Sequence, residues 1–314
     1  MDGFTLILLL AMALAYLVPP RERVYDLFYY LSKVVVAFLF FLHGAKLTPK
    51  NLLDGLTNWK VHLAILVATF ILFPSLVVLL RPLLLFLHSP EFYVGFLFLA
   101  SLPSTVQSAI AFTSLAKGNV AVAICAASAS SLLGVIVTPL LVGFLIHVEG
   151  TTPKLQAIWD LTLQLVVPFI LGQIVRPYLR DLLTRNQVII GATDRLSVIF
   201  IVYVSFSHSV TQGLWANFTF KDIFSLILTA SLLLACALII TSQAGKFLRF
   251  PEADRRALIF CGSKKSLMTG VPMANILFSA GLAGLVILPL IIFHQIQLIV
   301  SAQLARYLAT KEEL

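Results

Sequence analysis

Phe260-Cys261-Gly262-Ser263-Lys264-Lys265-Ser266-Leu267-Met268-Thr269-Gly270-Val271-Pro272 decides how the rest of the sequence is read. Two adjacent lysines stand inside a long apolar run, with Gly262 before them and Gly270 and Pro272 after them. If the run crosses a bilayer, a lysine at its centre costs about 2.5–3.5 kcal/mol on insertion scales, and two cost more. A loop at Gly262 would remove that cost, but Leu267 to Phe278 would then be too short to cross alone. The run therefore reads as one membrane span, interrupted at the lysines and turned toward a bundle interior or a wet cavity.

Composition supports that setting. The chain has 314 residues, 60% hydrophobic and only 11% charged, with a mean hydropathy of +0.99. A soluble domain carries about a quarter charged residues. Too little polar surface exists here to cover a water-facing globule, which excludes a soluble enzyme, a disordered chain and a disulfide scaffold. Cys125, Cys236 and Cys261 all lie in apolar stretches and read as structural thiols. Phe4 to Val18 follows Asp2 rather than a basic segment, so it reads as a first span and not a signal peptide.

Runs long enough to cross a bilayer fall at about 3–19, 27–45, 60–86, 93–116, 119–147, 159–178, 189–212, 222–245, 255–279 and 283–308. The expected fold is an all-α polytopic membrane protein of ten transmembrane helices. Of the 22 basic residues, Lys264 and Lys265 stand near the middle of a span. Six (Arg21, Arg23, Lys33, Arg81, Lys154 and Lys221) fall on one side, and the other fourteen on the side of both termini. Basic residues collect in cytoplasmic loops, so both termini are expected in the cytoplasm. The net charge of +8 then serves topology and not nucleic acid. The lack of a targeting extension fits a bacterial inner membrane.

Ten spans divide into five and five, and an odd number inverts the second half, as in many secondary transporters. Leu17-Val18-Pro19-Pro20 resembles Ile174-Val175-Arg176-Pro177, ending the first span of each half. The fourth span of each half carries the interruption. In span four, Pro103 removes a donor and clashes with the preceding turn, while Ser104 and Thr105 can cap a restarting helix. Gln107 and Ser108 follow at once. A simple proline kink would account for span four alone; the matched lysine break in span nine favours two broken helices.

All fourteen acidic residues lie at helix ends or in loops. Partners for Lys264 and Lys265 must then be neutral groups, carbonyls or something bound. Two lysines beside the N-termini of half-helices suit an anion; a neutral lysine there could instead exchange a proton. Ser128 of span five and the His294, Gln297, Ser301 stripe of span ten add polar groups, as do Ser205, His208 and Ser209 of span seven. Such residues also serve helix packing in membranes; His43, His62 and His208 read as interfacial or packing. No phosphate loop, zinc-ligand pattern or ordered nucleophile and base is present, so no enzyme, cofactor or metal is implied. An intramembrane enzyme would have to use Ser263, Cys261 and Lys264, which the breaks already explain.

With these residues in view, the chain resembles the bile acid:sodium symporter family (solute-carrier family ten) over essentially its whole length, and within it the member-seven-like branch. The carrying stretches are Leu102 to Ala109, Ala116-Lys117-Gly118-Asn119-Val120-Ala121 and Phe260 to Leu267. The resemblance implies two inverted five-helix repeats, with spans four and nine crossing at their breaks in mid-membrane. It implies a panel domain (3–45 and 159–212) and a core domain (60–147 and 222–308), moving to give alternating access. The substrate class would be a small organic anion. A non-transporting regulatory protein affecting ion homeostasis is the alternative the branch allows.

The departures from the family pattern concern sodium. Its span-nine Glu is replaced by Cys261, its Gln-Asn pair by Lys265 and Ser266, and its span-four Ser-Asn pair by Ser108 and Ala109. Two span-five hydroxyl positions hold Ala123 and Ala127. A hard cation needs several oxygen ligands, so sodium coupling of the family type is not expected. Lys265 would act as a built-in cation, leaving a uniporter, an exchanger or a proton-coupled carrier. The expected ligand set is Ser104, Thr105, Gln107, Ser108, Ser128, Cys261, Ser263, Lys264, Lys265, Ser266, His294 and Gln297, with helix breaks at Pro103, Gly262, Gly270 and Pro272.

Overall fold

The computed structural model describes residues 3–20, 22–46, 58–146, 155–216 and 218–310. Of the basic residues counted for orientation, Arg21, Lys50, Lys154 and Lys311 lie outside them. Among the described residues the secondary structure is helical, with no strand. The helices are α1 (Gly3–Leu17), α2 (Glu22–Lys46), α3 (Trp59–Leu79), α4 (Arg81–Leu87), α5 (Pro90–Ser101), α6 (Gln107–Leu115) and α7 (Val120–Ile146). They continue as α8 (Leu155–Arg185), α9 (Gln187–Thr211), α10 (Phe220–Phe247), α11 (Glu252–Gly262), α12 (Leu267–Leu277) and α13 (Ala280–Thr310). Seven of them (α2, α3, α7, α8, α9, α10 and α13) are long and apolar enough to cross a membrane. The protein is an integral membrane protein.

Several boundaries differ from the expected spans for local reasons. The stretch 60–86 divides at Leu80, because Pro82 near the start of α4 cannot donate back to Val78. The stretch 179–185, expected as a loop, continues α8 to its end at Arg185, just before the turn at Asn186. There Thr184 Oγ1 donates to the Arg180 carbonyl at 2.6 Å and Asn186 Nδ2 to the Leu182 carbonyl at 2.9 Å. The stretches 93–116 and 255–279 are each made of two short helices, α5 with α6 and α11 with α12.

The chain forms two compact units. One comprises Met1–Leu47, His147–Thr219 and Met268–Leu288. In it α2 and α8 pack backbone to backbone: a Cβ on Gly44 would lie 2.0 Å from the Phe169 carbonyl oxygen, and one on Gly172 the same distance from that of Phe41. Small residues permit such approach in a lipid setting, where dispersion replaces the hydrophobic drive. Gln173 Nε2 donates across the contact to the Gly44 carbonyl at 2.7 Å. A polar thread joins Ser32, Asn275 and Ser205 at 3.3 and 3.2 Å. His208 stacks on Tyr25 with ring centroids 4.4 Å apart, and Ser209 donates to the Gly281 carbonyl at 2.5 Å.

The other unit comprises Thr48–Ile146, Phe220–Leu267 and Pro289–Leu314. Its core includes Val61, Ile65, Ala109, Ala123, Ala126, Leu258 and Cys261, where alanines let α7 come close to α11 and α3. The Ala116–Ala121 stretch is a latch in this unit. Lys117 takes a left-handed turn (φ 54°), Asn119 caps α7 by accepting the Val122 N–H at 3.1 Å, and Arg256 Nη1 donates to the Ala116 carbonyl at 2.6 Å. Asn119 Nδ2 also donates to Asp254 at 2.7 Å.

Candidate functional site

Two helix irregularities, each beside a proline, create the site by leaving carbonyls without helical partners. Around Ala68–Leu72, α3 makes one π-turn, in which the Phe73 N–H bonds to the Ala68 carbonyl. The Thr69 carbonyl therefore loses its usual α-helical donor, and the next candidate is Pro74, which has no N–H. At the next break, α5 ends at Ser101 and Pro103 again offers no N–H. The Ser104 N–H, which would otherwise serve the Ala100 carbonyl, donates to Ser130 Oγ at 3.0 Å. Ala100 and Leu102 then present bare carbonyls beside that of Thr69.

Lys265 caps all three. Its Nζ donates to the carbonyls of Thr69 at 2.6 Å, Ala100 at 2.7 Å and Leu102 at 2.8 Å. An ammonium has three protons and no acceptor, so this one is fully used. The ring of Phe73 closes the cage at 4.4 Å from Nζ to its centroid. Lys265 has 0% exposure.

The two non-helical segments satisfy each other. Ser104 Oγ donates to the Cys261 carbonyl at 2.6 Å, and the Ser266 N–H donates to the Pro103 carbonyl at 3.0 Å. Thr138 Oγ1 donates to the Ser101 carbonyl at 2.8 Å. Gln297 on α13 accepts the Lys265 N–H and donates to the Lys265 carbonyl, both at 2.9 Å. Buried backbone groups demand such partners. Irregular backbone buried within the protein is stable because side chains of α7 and α13 supply what helices would have supplied.

Lys264 stands differently. Its Nζ makes one long bond, 3.3 Å to the Ser108 carbonyl, and lies 3.7 Å from the centroid of Phe112 and 5.8 Å from that of Phe260. It too has 0% exposure. A cation held chiefly by aromatic faces keeps N–H protons available for an anion. Beside it Ser108 Oγ donates to Thr105 Oγ1 at 2.8 Å.

The remaining expected residues distribute around these two lysines. Ser263 Oγ turns back onto the Ile259 carbonyl at 2.6 Å and so tightens the end of α11. Cys261 is buried, its Sγ 3.9 Å from the Ala123 carbonyl. Ser128 is buried within α7, and Gln107 is exposed at the start of α6. His294 Nδ1 accepts from Gln297 Nε2 at 2.8 Å. Gly262 is the last residue of α11, whereas Gly270 and Pro272 lie inside α12, which runs through both. Thr69, Phe73, Phe112, Ser130 and Thr138 were not singled out from sequence. The available signal was Pro74, five residues after Thr69.

The family model described as the SBF-like CPA transporter family matches residues 2–310. The protein PA2026 of Pseudomonas aeruginosa, itself uncharacterized, is 45% identical over 99% of this chain and 94% of its own length. YfeH of Escherichia coli, whose name describes a candidate symporter, is 44% identical over 98% of this chain and 92% of its own. Sodium/bile acid cotransporter 7 of Rattus norvegicus is 32% identical over 87% of this chain and 81% of its own.

Proposed function

Because the chain belongs to the SBF-like CPA transporter family, of bile acid:sodium symporter type, we propose that it is a carrier for a small organic anion that works by alternating access without the family's sodium sites. The observation that carries this reading is the Lys265 ammonium, bonded to the carbonyls of Thr69, Ala100 and Leu102. Three converging carbonyls are what a hard cation would seek. Here they hold a cation that belongs to the chain.

The wider arrangement belongs to the same proposal. Ten spans form two inverted repeats, with α5–α6 and α11–α12 as broken helices crossing in mid-membrane. Spans one, two, six and seven form the panel, and spans three to five and eight to ten the core. Both termini face the cytoplasm of a bacterial inner membrane. The anion meets Lys264, whose ammonium is the less occupied of the pair, together with the hydroxyls of Thr105 and Ser108. The family is one of transporters and not of enzymes, and nothing in this reading requires a metal or a cofactor.

The test is counterflow in proteoliposomes with taurocholate and an aryl sulfate as labelled probes, with sodium replaced by choline. The reading expects exchange that is indifferent to sodium and lost in Lys264→Ala. Exchange that requires a sodium gradient would overturn it.

A further inference from the structure

The side chain of Gln297 is held in one orientation by a backbone residue. Lys265 offers it an N–H and a C=O, as an adjacent strand would, and the amide meets both at 2.9 Å. Reversing the amide would set donor against donor and acceptor against acceptor. The second N–H of Gln297 Nε2 then points at His294 Nδ1, 2.8 Å away. A ring nitrogen that receives a donor must present a lone pair. His294 is therefore the neutral imidazole with its proton on Nε2.

We infer that His294 is a proton-binding site and that Gln297 transmits its charge state to Lys265. A proton added at Nδ1 places two N–H donors face to face at hydrogen-bond distance. Gln297 cannot relieve this by turning over, because the Lys265 backbone needs both ends of its amide. Either the imidazolium or the amide must leave. When the amide leaves, Lys265 loses its backbone clamp at the residue whose ammonium holds Thr69, Ala100 and Leu102. Proton binding at His294 thus loosens the junction between the two non-helical segments. In a carrier it gives the proton a place in the transport cycle, and only that last step rests on the function proposed above.

The titratable groups on the elements packed against α13 lie as follows. Helix α13 packs on α3 through Phe293 and Phe73, ring centroids 5.9 Å apart, and on α11 and α6 through Ala305, Phe260 and Phe112. Of these elements, α6 carries no titratable residue. Helix α3 carries Lys60 and His62 at its far end, and α11 carries Cys261 near the junction with Glu252, Asp254, Arg255 and Arg256 at its far end. Helix α13 itself carries Arg306 and Tyr307 toward its C-terminal end, and Lys264 and Lys265 lie in the segment that follows α11. One of them is committed to carbonyls and the other faces Phe112.

The experiment is amide hydrogen exchange of the full-length protein in lipid nanodiscs, read on the peptide that contains Lys265. Wild type, His294→Asn and Gln297→Ala are compared at each pH from 8 to 5. Asn keeps an acceptor at 294 and does not titrate. Wild type should match His294→Asn at pH 8 and exchange several-fold faster by pH 5, while Gln297→Ala should be fast throughout. Wild type and His294→Asn tracking each other at every pH would overturn the inference. So would an imidazole ¹⁵N spectrum of wild type with the proton on Nδ1 at pH 8, a reading that needs no variant to fold. Failed counterflow with this pH dependence intact removes the transport reading alone; the reverse removes the proton site alone.

Discussion

Lys264 and Lys265 are neighbours in sequence, equally buried, and held in opposite ways. Lys265 spends every proton on a backbone carbonyl, and its own backbone is clamped by Gln297. Lys264 has one bond of 3.3 Å and an aromatic face at 3.7 Å. The difference arises because the chain reverses its facing across one peptide. Lys265 points to the side where the π-turn before Pro74 and the helix end before Pro103 leave carbonyls bare; Lys264 points to α6, whose carbonyls are already engaged in a helix. A buried charged group is tolerated when it is paired or solvated by dipoles. One lysine is structural by that measure, and the other is available.

Breaking the stronger arrangement should have the largest effect. Lys265→Ala strands three buried carbonyls, each worth about 1–3 kcal/mol when left unmade. Its melting temperature in detergent should fall far below that of Lys264→Ala. The latter removes one long bond and a cation–π contact of about 0.5–2 kcal/mol, and should still yield folded protein. Equal losses in the two variants would erase the distinction.

Gln297→Leu comes next, because it removes both partners of the Lys265 backbone at about 1–3 kcal/mol per orphaned group. The change should appear as lower stability with the ammonium cage retained. Gly134→Ala probes the first break from the opposite side. Its Cβ would lie 2.7 Å from Cβ and Cγ of Pro103, and overpacking of this kind costs about 1–3 kcal/mol. A melting curve unchanged by this substitution would mean that Pro103 can shift freely, which its bonded neighbours argue against.

Much of this was legible in the sequence, and the rest was hidden for a definite reason. Apolar runs of bilayer length mark the helices, and Pro103 and the lysine pair mark the two non-helical segments. Pattern reading finds a residue that does not fit its surroundings. It cannot find a carbonyl that lacks a donor, since every residue has one. Thr69 lies in an ordinary apolar run, and its role follows only from a π-turn coinciding with Pro74. Gln297 was legible as polar in a span but not as a backbone clamp, because its partner lies 32 residues away. The Ala116–Ala121 stretch, which carries part of the family resemblance, belongs to a cap and an arginine latch, and Ala116 packs with Phe260, one of the rings beside Lys264.

The smallest expected effect lies away from the junction and serves as its control. His88, between α4 and α5, sits 2.9 Å from Thr229 Oγ1 and 3.2 Å from Ser225 Oγ. Burial holds its pKa below the ordinary 6.5, with Asp222 opposing in part. A histidine depressed in the folded state contributes stability that is present above pH 6.5 and fades as pH falls below it. His88→Asn should flatten that portion of the pH–stability curve and leave exchange at Lys265 unchanged.

The central claim is that Lys265 stands where a relative would place sodium. The direct measurement is thermal melting of the purified protein in sodium against choline, for wild type and Lys265→Gln. The account predicts no shift for wild type, because the carbonyls of Thr69, Ala100 and Leu102 are already occupied, and a sodium-dependent rise only once the ammonium is gone. Sodium stabilisation of wild type that persists unchanged in Lys265→Gln would contradict it.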